Sequence, residues 1–383
     1  MKVYYNQKKI SSSLQKFFIN IFNISKPHLK NLAFIITGII VAESIVTSDI
    51  SRKLKDDFSF VHLESIERRF RRFFSSFSNV AYSFYDAFIR YIISKFKIKH
   101  VDNNIHISFD HMYCKNKFSI LLFSLRIGKQ GIPLWFRCFK YKNASDAYSI
   151  DLIKEGISYC ANLFNNNSYH IIFLADRWFP NINILSHIQS IGCFYCIRSK
   201  SYFTYSYYNS NGKLITSHLR DIKPKKYTAK VISNVFYTRN MFPTNIVVSS
   251  SCNTSTPWIL VTNDATNRAV RNYSYRFGSI ESIFKSQKSN GFRLESTNTQ
   301  KIERFISLFT ILCIALTWLT IIGSDYVKNK HHYHLKIRDI RKFKDNTTSR
   351  TYSFFNLGLT IFNLCYYNYV DFTLKFNFVL YDV

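Results

Sequence analysis

Apolar and polar residues alternate along three consecutive segments in the first half of the chain, and this pattern predicts β-strands. The segments are residues 105–109, 118–127 and 132–139. Short polar turns separate them, at 115–117 and 128–131. Because such turns suit hairpins, the three strands are expected to be antiparallel neighbours.

Helical and strand-like segments then alternate as far as residue 198. A helical stretch near 145–164 leads to a nearly continuous apolar run at 171–175, as in a buried central strand. A helix that opens at Pro180 leads to a strand at 194–198. This order of elements resembles that of a ribonuclease-H-like domain, so we expect an α/β fold of that kind.

The segments on either side of this core have different patterns. Residues 1 to about 95 have helical spacing, whereas residues 200–263 alternate Tyr, Thr, Ser and Val around an Asn-Gly turn at 211–212. The second pattern predicts a β-rich insertion. Trp258 lies within this insertion. Its side chain could stack on an extruded base, but a position in the core is the favoured interpretation.

Four arginines crowd the polar face of one predicted N-terminal helix, whose apolar stripe includes Ile66 and Phe70. They are Arg68, Arg69, Arg71 and Arg72. Such a face is either solvated, with local pairing to Glu67, or lies along a phosphate backbone. The clustering favours DNA.

Residues 305–323 carry no charge over 19 positions, close to the length that spans a bilayer. The segment holds four Ser or Thr residues and has basic residues on both sides, so it gives no orientation signal. A helix buried against a sheet has the same composition. We expect a core helix.

The net charge is far larger than solubility requires. The chain has 52 Lys and Arg against 23 Asp and Glu, a balance of +29 spread along its length. Nucleic acid is the first expectation, although an anionic membrane or a ribosome would attract the same charge. The basic tail after 326, with histidines at 331–334, is expected to be solvated or to face DNA.

Eight cysteines occur without a secretory signal at the N-terminus, which predicts a cytoplasmic, reduced protein. Cys193 and Cys196 form a CxxC, but no second CxxC or histidine pair at zinc spacing accompanies it. They are expected to be small core residues.

Three acids stand in contexts that suit a shared catalytic site. Asp110 ends the first alternating run, and Asp176 directly follows the buried strand. Glu281 lies on a helical segment with Lys285 and Lys288 at i+4 and i+7, so one carboxylate and two ammonium groups share a face. Such acids can hold two divalent cations for phosphodiester chemistry, and the lysines can bind phosphates. An ordinary amphipathic helix would explain Glu281 alone.

These motifs resemble those of bacterial insertion-sequence DDE transposases, in the cut-and-paste branch with a β insertion and a Tyr-Arg-Glu-Lys signature. Asp176-Arg177 resembles the second-acid motif, and Tyr273, Arg276, Glu281 and Lys288 resemble the signature. The chain departs from the family in two places. Trp178 stands where Gly is usual, and four residues instead of three separate Arg276 from Glu281.

The resemblance implies the chemistry and the partners. Asp110, Asp176 and Glu281 would hold two Mg²⁺ ions, or Mn²⁺, while Tyr273, Arg276, Lys285 and Lys288 would clamp phosphates. The partners would be terminal inverted repeats and target DNA, bound by a homodimer at the bacterial nucleoid without a membrane. A non-catalytic DNA-binding derivative and a membrane-anchored basic protein remain alternatives.

The expected organisation has five parts. They are a helical, basic, DNA-binding region at 1–98, the first part of the core at 99–199, the insertion at 200–263, the second part of the core with the catalytic helix at 264–325, and a basic C-terminal region at 326–383.

Overall fold

The computed structural model describes residues 2–54, 62–96, 103–141, 149–164, 169–250, 256–288, 291–329, 337–342, 348–367 and 379–381. Cys252, the histidine cluster at 331–334 and part of the basic tail lie outside these residues. The described part is a mixed α/β structure built around one large sheet.

Helices make up the N-terminal region, as the spacing predicts. They are α1 (Lys2–Ile19), α2 (Lys26–Ala42), α3 (Thr47–Lys53), α4 (Leu63–Phe77) and α5 (Ala81–Ser94). Helix α4 buries its apolar stripe, including Ile66 and Phe70, against α2, α3 and α10 (Ile302–Lys328). Burial of that stripe leaves the arginine face of α4 outward.

The predicted strands form one half of the sheet. They are β1 (Asn104–Cys114), β2 (Phe118–Ile127), β3 (Gln130–Lys140), β4 (His170–Ala175) and β5 (Phe194–Arg198), in the spatial order β3-β2-β1-β4-β5. Strands β1, β2 and β3 are antiparallel, whereas β4 is parallel to β1 and to β5. Helices α6 (Ile150–Asn162) and α7 (Ile182–Ser190) connect β3, β4 and β5.

The β-rich insertion extends this sheet instead of forming a separate one. Its strands are β6 (Thr204–Tyr208), β7 (Leu214–His218), β8 (Ala229–Tyr237), β9 (Phe242–Ser249) and β10 (Trp258–Thr262). Strand β10 pairs antiparallel with β5, with Leu260 opposite Arg198. The ten-stranded sheet therefore continues β5-β10-β9-β8-β6-β7.

The remaining elements follow the insertion. They are α8 (Ala269–Ser274), α9 (Ile280–Lys288), α10, the hairpin strands β11 (Ile340–Lys342) and β12 (Thr348–Arg350), and α11 (Phe354–Tyr366). Helices α10 and α11 touch backbone to backbone. A Cβ on Gly358 would lie 1.8 Å from the backbone oxygen of Leu319, so only glycine permits this approach.

Helix α10 contains the apolar segment 305–323. By length and hydropathy α10 could cross a membrane, and so could the bent pair α2 and α3 if it formed one span. In the fold, however, 94% of the apolar window of α10 is buried. Phe305 stacks on Phe118 of β2 at 4.0 Å, and Phe309 lies 4.9 Å from Phe136 of β3. The expected core helix is confirmed.

Candidate active site

Asp110 and Asp176 lie at the same edge of the sheet, on neighbouring parallel strands. Ser108 of β1 is in register with Leu174 of β4, so two residues further along each strand bring Asp110 beside Asp176. Adjacent strands are about 4.8 Å apart. Asp176 directly follows β4, as its apolar context predicted. Asp110 lies within β1, which continues to Cys114 paired with β2, so the expectation that this acid ends its strand is wrong.

Arg276 connects Asp110 with Glu281. Its Nη2 donates to Oδ2 of Asp110, and its Nη1 donates to Oε1 of Glu281 at 2.8 Å. Arg276 is only 5% exposed, and its buried Nε has no hydrogen-bond partner among the described residues. The other oxygen of Asp110, Oδ1, accepts the backbone N–H of His111 at 2.8 Å. Two of the three acids therefore share one buried guanidinium.

Asp176 joins this cluster through Tyr273 of α8. The Tyr273 hydroxyl lies 3.4 Å from Oδ1 of Asp176, and the ring is buried against Trp258 at a centroid distance of 5.1 Å. Trp258 also stacks on Phe277. Trp258 thus packs against aromatic side chains next to the acids, in agreement with the core position favoured from the sequence.

Close packing of α9 against the hairpin of β2 and β3 holds Glu281 in place. Ser279 Oγ hydrogen bonds Ser124 Oγ at 2.8 Å, and the N–H of Gly131 donates to Ser282 Oγ at 2.9 Å. A Cβ on Gly131 would lie 2.5 Å from the backbone oxygen of Ser279. Sequence reasoning missed these positioning residues because the contacts join segments far apart in the chain.

Opposing influences act on the charges of the cluster. Burial raises the pKa of Asp110; the Arg276 guanidinium and the His111 N–H lower it, and the negative charge of Asp176 raises it. For Arg276, burial is the largest influence and lowers the pKa, but the nearby acids together raise it above its usual value. The net effect raises the pKa of Asp110 above its ordinary value, with burial as the largest cause.

Carboxylate oxygens are the ligands that Mg²⁺ and Mn²⁺ prefer. Among the residues that the structure describes, no group of three or more His, Cys, Asp or Glu side chains forms a set that could hold a metal ion. The guanidinium of Arg276 lies between Asp110 and Glu281 and pairs with both. The donor chemistry fits divalent cations, provided that they replace this guanidinium.

The signature residues expected on phosphates differ in where their side chains lie. Arg276 and Tyr273 are buried and contact the acids. Lys288 Nζ lies 3.0 Å from Glu295, and Lys285 is exposed on the same helix as Glu281. In this structure the acids compete with any phosphate for Arg276, whereas Lys285 and Lys288 are on the accessible side of α9.

The arginines of α4 lie on another surface. Arg68, Arg71 and Arg72 are exposed, and Arg71 pairs with Glu67 at 3.6 Å. Arg69 is partly buried, and its Nε donates to Asn31 Oδ1 at 2.8 Å. Three of the four arginines are therefore accessible to a ligand, and Arg69 packs against α2.

The two cysteines of the CxxC lie in the core. Cys193 and Cys196 are both buried and free, and burial raises the pKa of the Cys193 thiol to about 11. The expectation of small core residues is confirmed.

Comparison with protein families matches residues 122–318, just over half of the chain, to the family described as Transposase DDE domain. The matched segment includes Asp176, Arg276 and Glu281, and begins after Asp110. Comparison with curated proteins found no match.

Proposed function

The chain belongs to the transposase DDE-domain family, and from that premise we propose that it cleaves DNA and transfers strands at the ends of an insertion sequence. The observation that carries this proposal is the convergence of Asp110, Asp176 and Glu281 around Arg276 and Tyr273. These acids come from β1, the end of β4 and α9, which are far apart in sequence. The charge of +29 supports a polyanionic substrate.

We propose the finer classification from the same residues. The strand order β3-β2-β1-β4-β5, with Asp110 within β1 and Asp176 directly after β4, supports a ribonuclease-H-like core. The insertion between the second and third acids, with Tyr273, Arg276, Glu281 and Lys288 in order, supports the cut-and-paste branch. A homodimer acting on two terminal repeats in the bacterial cytoplasm is part of this proposal.

In the proposed mechanism, Asp110, Asp176 and Glu281 would hold two divalent cations. Bound there, Mg²⁺ or Mn²⁺ supplies activation of a hydroxyl or water and stabilisation of the leaving oxygen. Arg276 pairs with both Asp110 and Glu281 in the protein alone, which holds the two carboxylates in position. The Tyr273 hydroxyl donates to Asp176. Lys285 and Lys288 face the solvent side of α9, from which a phosphate would approach.

A metal-dependent cleavage assay tests the proposal. The substrate is a supercoiled plasmid carrying the gene with its natural flanking DNA, because the terminal repeats would lie there. Asp110→Asn, Asp176→Asn and Glu281→Gln should each abolish cleavage while DNA binding persists. Asp151→Asn, an exposed acid in the first turn of α6, is the matched control and should cleave normally.

Two outcomes would contradict the proposal. Cleavage that survives all three substitutions would mean that another site does the chemistry. Binding without cleavage by the unmodified protein, in either Mg²⁺ or Mn²⁺, would instead favour a non-catalytic DNA-binding derivative.

A further inference from the structure

Helix α8 and the turn that follows it carry two pairs of side chains that contact different parts of the sheet. Tyr273 and Arg276 reach the acids. Asn272 and Tyr275 instead reach His106 of β1. The members of each pair are three residues apart and therefore share a face. A helix of six residues does not hold its shape in isolation, so contacts with the sheet determine where Tyr273 and Arg276 lie.

Asn272 is the centre of a row of hydrogen bonds between polar side chains, here called the Asn272 network and formed by His106, Asn272, Asp264 and His170. The Asn272 Oδ1 accepts from His106 Nε2 at 3.2 Å, and its Nδ2 donates to Asp264 Oδ2 at 2.9 Å. The other oxygen of Asp264 accepts from His170 Nε2 at 3.0 Å. Asn272 is only 3% exposed. Because both ends of its buried amide are hydrogen bonded, the side chain has a fixed orientation.

The Asn272 network joins α8 to three strands. His106 lies on β1, His170 is the first residue of β4, and Asp264 follows β10 by two residues. Asp264 is itself held, since its N–H donates to Thr262 Oγ1 at 3.1 Å. The His170 ring stacks on Phe194 of β5 at 3.8 Å. The network is therefore attached to β1 and β4, the same two strands that position the first two acids.

We infer that Asn272, with His106 and Asp264, is a positioning residue for the proposed DNA cleavage, and the inference rests on that function. Asn272 acts through α8, which it holds where the Tyr273 hydroxyl reaches Asp176. That hydrogen bond is 3.4 Å long, so a small shift of α8 would break it. A misplacement of about 1 Å in a catalytic site can lower a rate by about 100-fold. Loss of the network should therefore slow cleavage.

Exchange of the amide and the carboxylate tests this role. Asn272→Asp alone places two carboxylates where a hydrogen bond of 2.9 Å joins the side chains, so they repel each other. The double variant Asn272→Asp with Asp264→Asn restores the net charge and can form every hydrogen bond of the network. Asn272→Asp should slow cleavage roughly 10- to 100-fold, the range typical of residues that orient metal ligands. The double variant should recover most of that loss.

Trp258 provides a signal that follows the position of α8 without metal or DNA. Its ring packs on Tyr273 at a centroid distance of 5.1 Å and on Phe277 at 5.6 Å. The full-length protein is labelled with fluorotryptophan, and the fluorine NMR resonance of Trp258, one of four tryptophans, is assigned by its absence from Trp258→Phe. In EDTA, Asn272→Asp should shift this resonance. The double variant should return it toward its original position.

Asn329→Asp is the matched control. Asn329 Nδ2 donates to Asp325 Oδ1 at 2.7 Å, and Asp325 is as buried as Asn272. The substitution makes the same chemical change, a second carboxylate beside a buried one, at the end of a different helix. It should lower the melting temperature as Asn272→Asp does. The Trp258 resonance and the rate of cleavage, measured well below the melting temperature, should stay unchanged.

His170→Phe is a milder variant, and it replaces Asn272→Asp if that protein does not fold. A ring still stacks on Phe194, and only the hydrogen bond to Asp264 is lost. The Trp258 resonance should shift in the same direction but by less, because Asp264 still accepts from Asn272.

The outcomes separate this inference from the proposed function. An unshifted Trp258 resonance in the folded variants, or normal cleavage by Asn272→Asp in a protein that only melts lower, would overturn the positioning role. A double variant that recovers neither the resonance nor the rate would overturn it as well. If the unmodified protein never cleaves plasmid, the proposed function fails, whereas a resonance shift that the double variant reverses would still uphold the anchoring of α8 by Asn272.

Discussion

Arg276→Gln is the substitution that most directly tests how the acids are held. The guanidinium is the only group seen to contact both Asp110 and Glu281 among the described residues, and glutamine removes its charge while keeping a polar side chain. Under the proposed function, the unmodified protein would have to give up this contact for divalent cations to bind. The variant has no such contact to lose, so the two proteins should respond differently to metal.

The exposure of the two acids determines the size of the effect. The Asp110 side chain is 20% exposed, and breaking a buried ion pair costs about 3–5 kcal/mol. The Glu281 side chain is 45% exposed, so its pair with Arg276 contributes about 0–1 kcal/mol. We expect a loss of about 3 kcal/mol in unfolding free energy without metal, because Asp110 is not fully enclosed.

Thermal unfolding followed by fluorescence, in EDTA and in saturating MgCl₂, measures both effects. Arg276→Gln should melt at a lower temperature than the unmodified protein in EDTA. A ligand at one hundred times its Kd stabilises a protein by about 2.7 kcal/mol. The melting temperature of the variant should rise more on addition of Mg²⁺, because the variant loses no ion pair when the cation binds. Arg271→Gln, an exposed arginine on α8, should differ by less than about 0.5 kcal/mol. Equal melting temperatures in EDTA, or equal shifts with Mg²⁺, would refute the reasoning.

Three further predictions concern α9, the core and the thiols. Lys288→Ala should lower the salt slope of duplex binding by about 0.9 and cost less than about 1 kcal/mol of stability, because its partner Glu295 is on the surface; an unchanged slope would exclude a phosphate contact. Gly358→Ala should destabilise the fold by about 1–3 kcal/mol in urea titrations, whereas Gly278→Ala, whose Cβ would meet nothing closer than 3.4 Å, should not. Burial raises the pKa of the Cys196 thiol, so iodoacetamide should label it only after unfolding, and labelling of the folded protein would contradict this.

The element types were predictable because they depend on local patterns. Alternation over 105–139 predicted β1, β2 and β3, and the uninterrupted apolar run before Asp176 predicted β4. The apolar segment in α10 was ambiguous in the sequence, since a membrane span and a core helix have the same hydropathy. Its burial against Phe118 and Phe136 resolved that ambiguity.

The direction of individual side chains was less predictable. The Tyr-Arg-Glu-Lys spacing suggested that Arg276 and Tyr273 reach a phosphate. Both side chains are instead buried, and they hydrogen bond to the acids. Arg276 and Asp110 are 166 residues apart in the chain. Local periodicity cannot predict that contact, because it depends on how α8 packs against β4 and α9 packs against β1.

By itself, the sequence determined the helices and strands of the core, the basic charge and the three candidate acids, since these follow from the period of apolar residues and from residue type. It placed Asp176 correctly after a strand and Glu281 on a helix, but it ended the first strand too early, at Asp110. Only the tertiary structure decided that the insertion continues the central sheet through β10 and β5. It also decided that a buried guanidinium joins Asp110 to Glu281, and that Asn272 connects α8 to β1 through His106. These features depend on contacts between distant segments, which arise when the apolar faces are buried together.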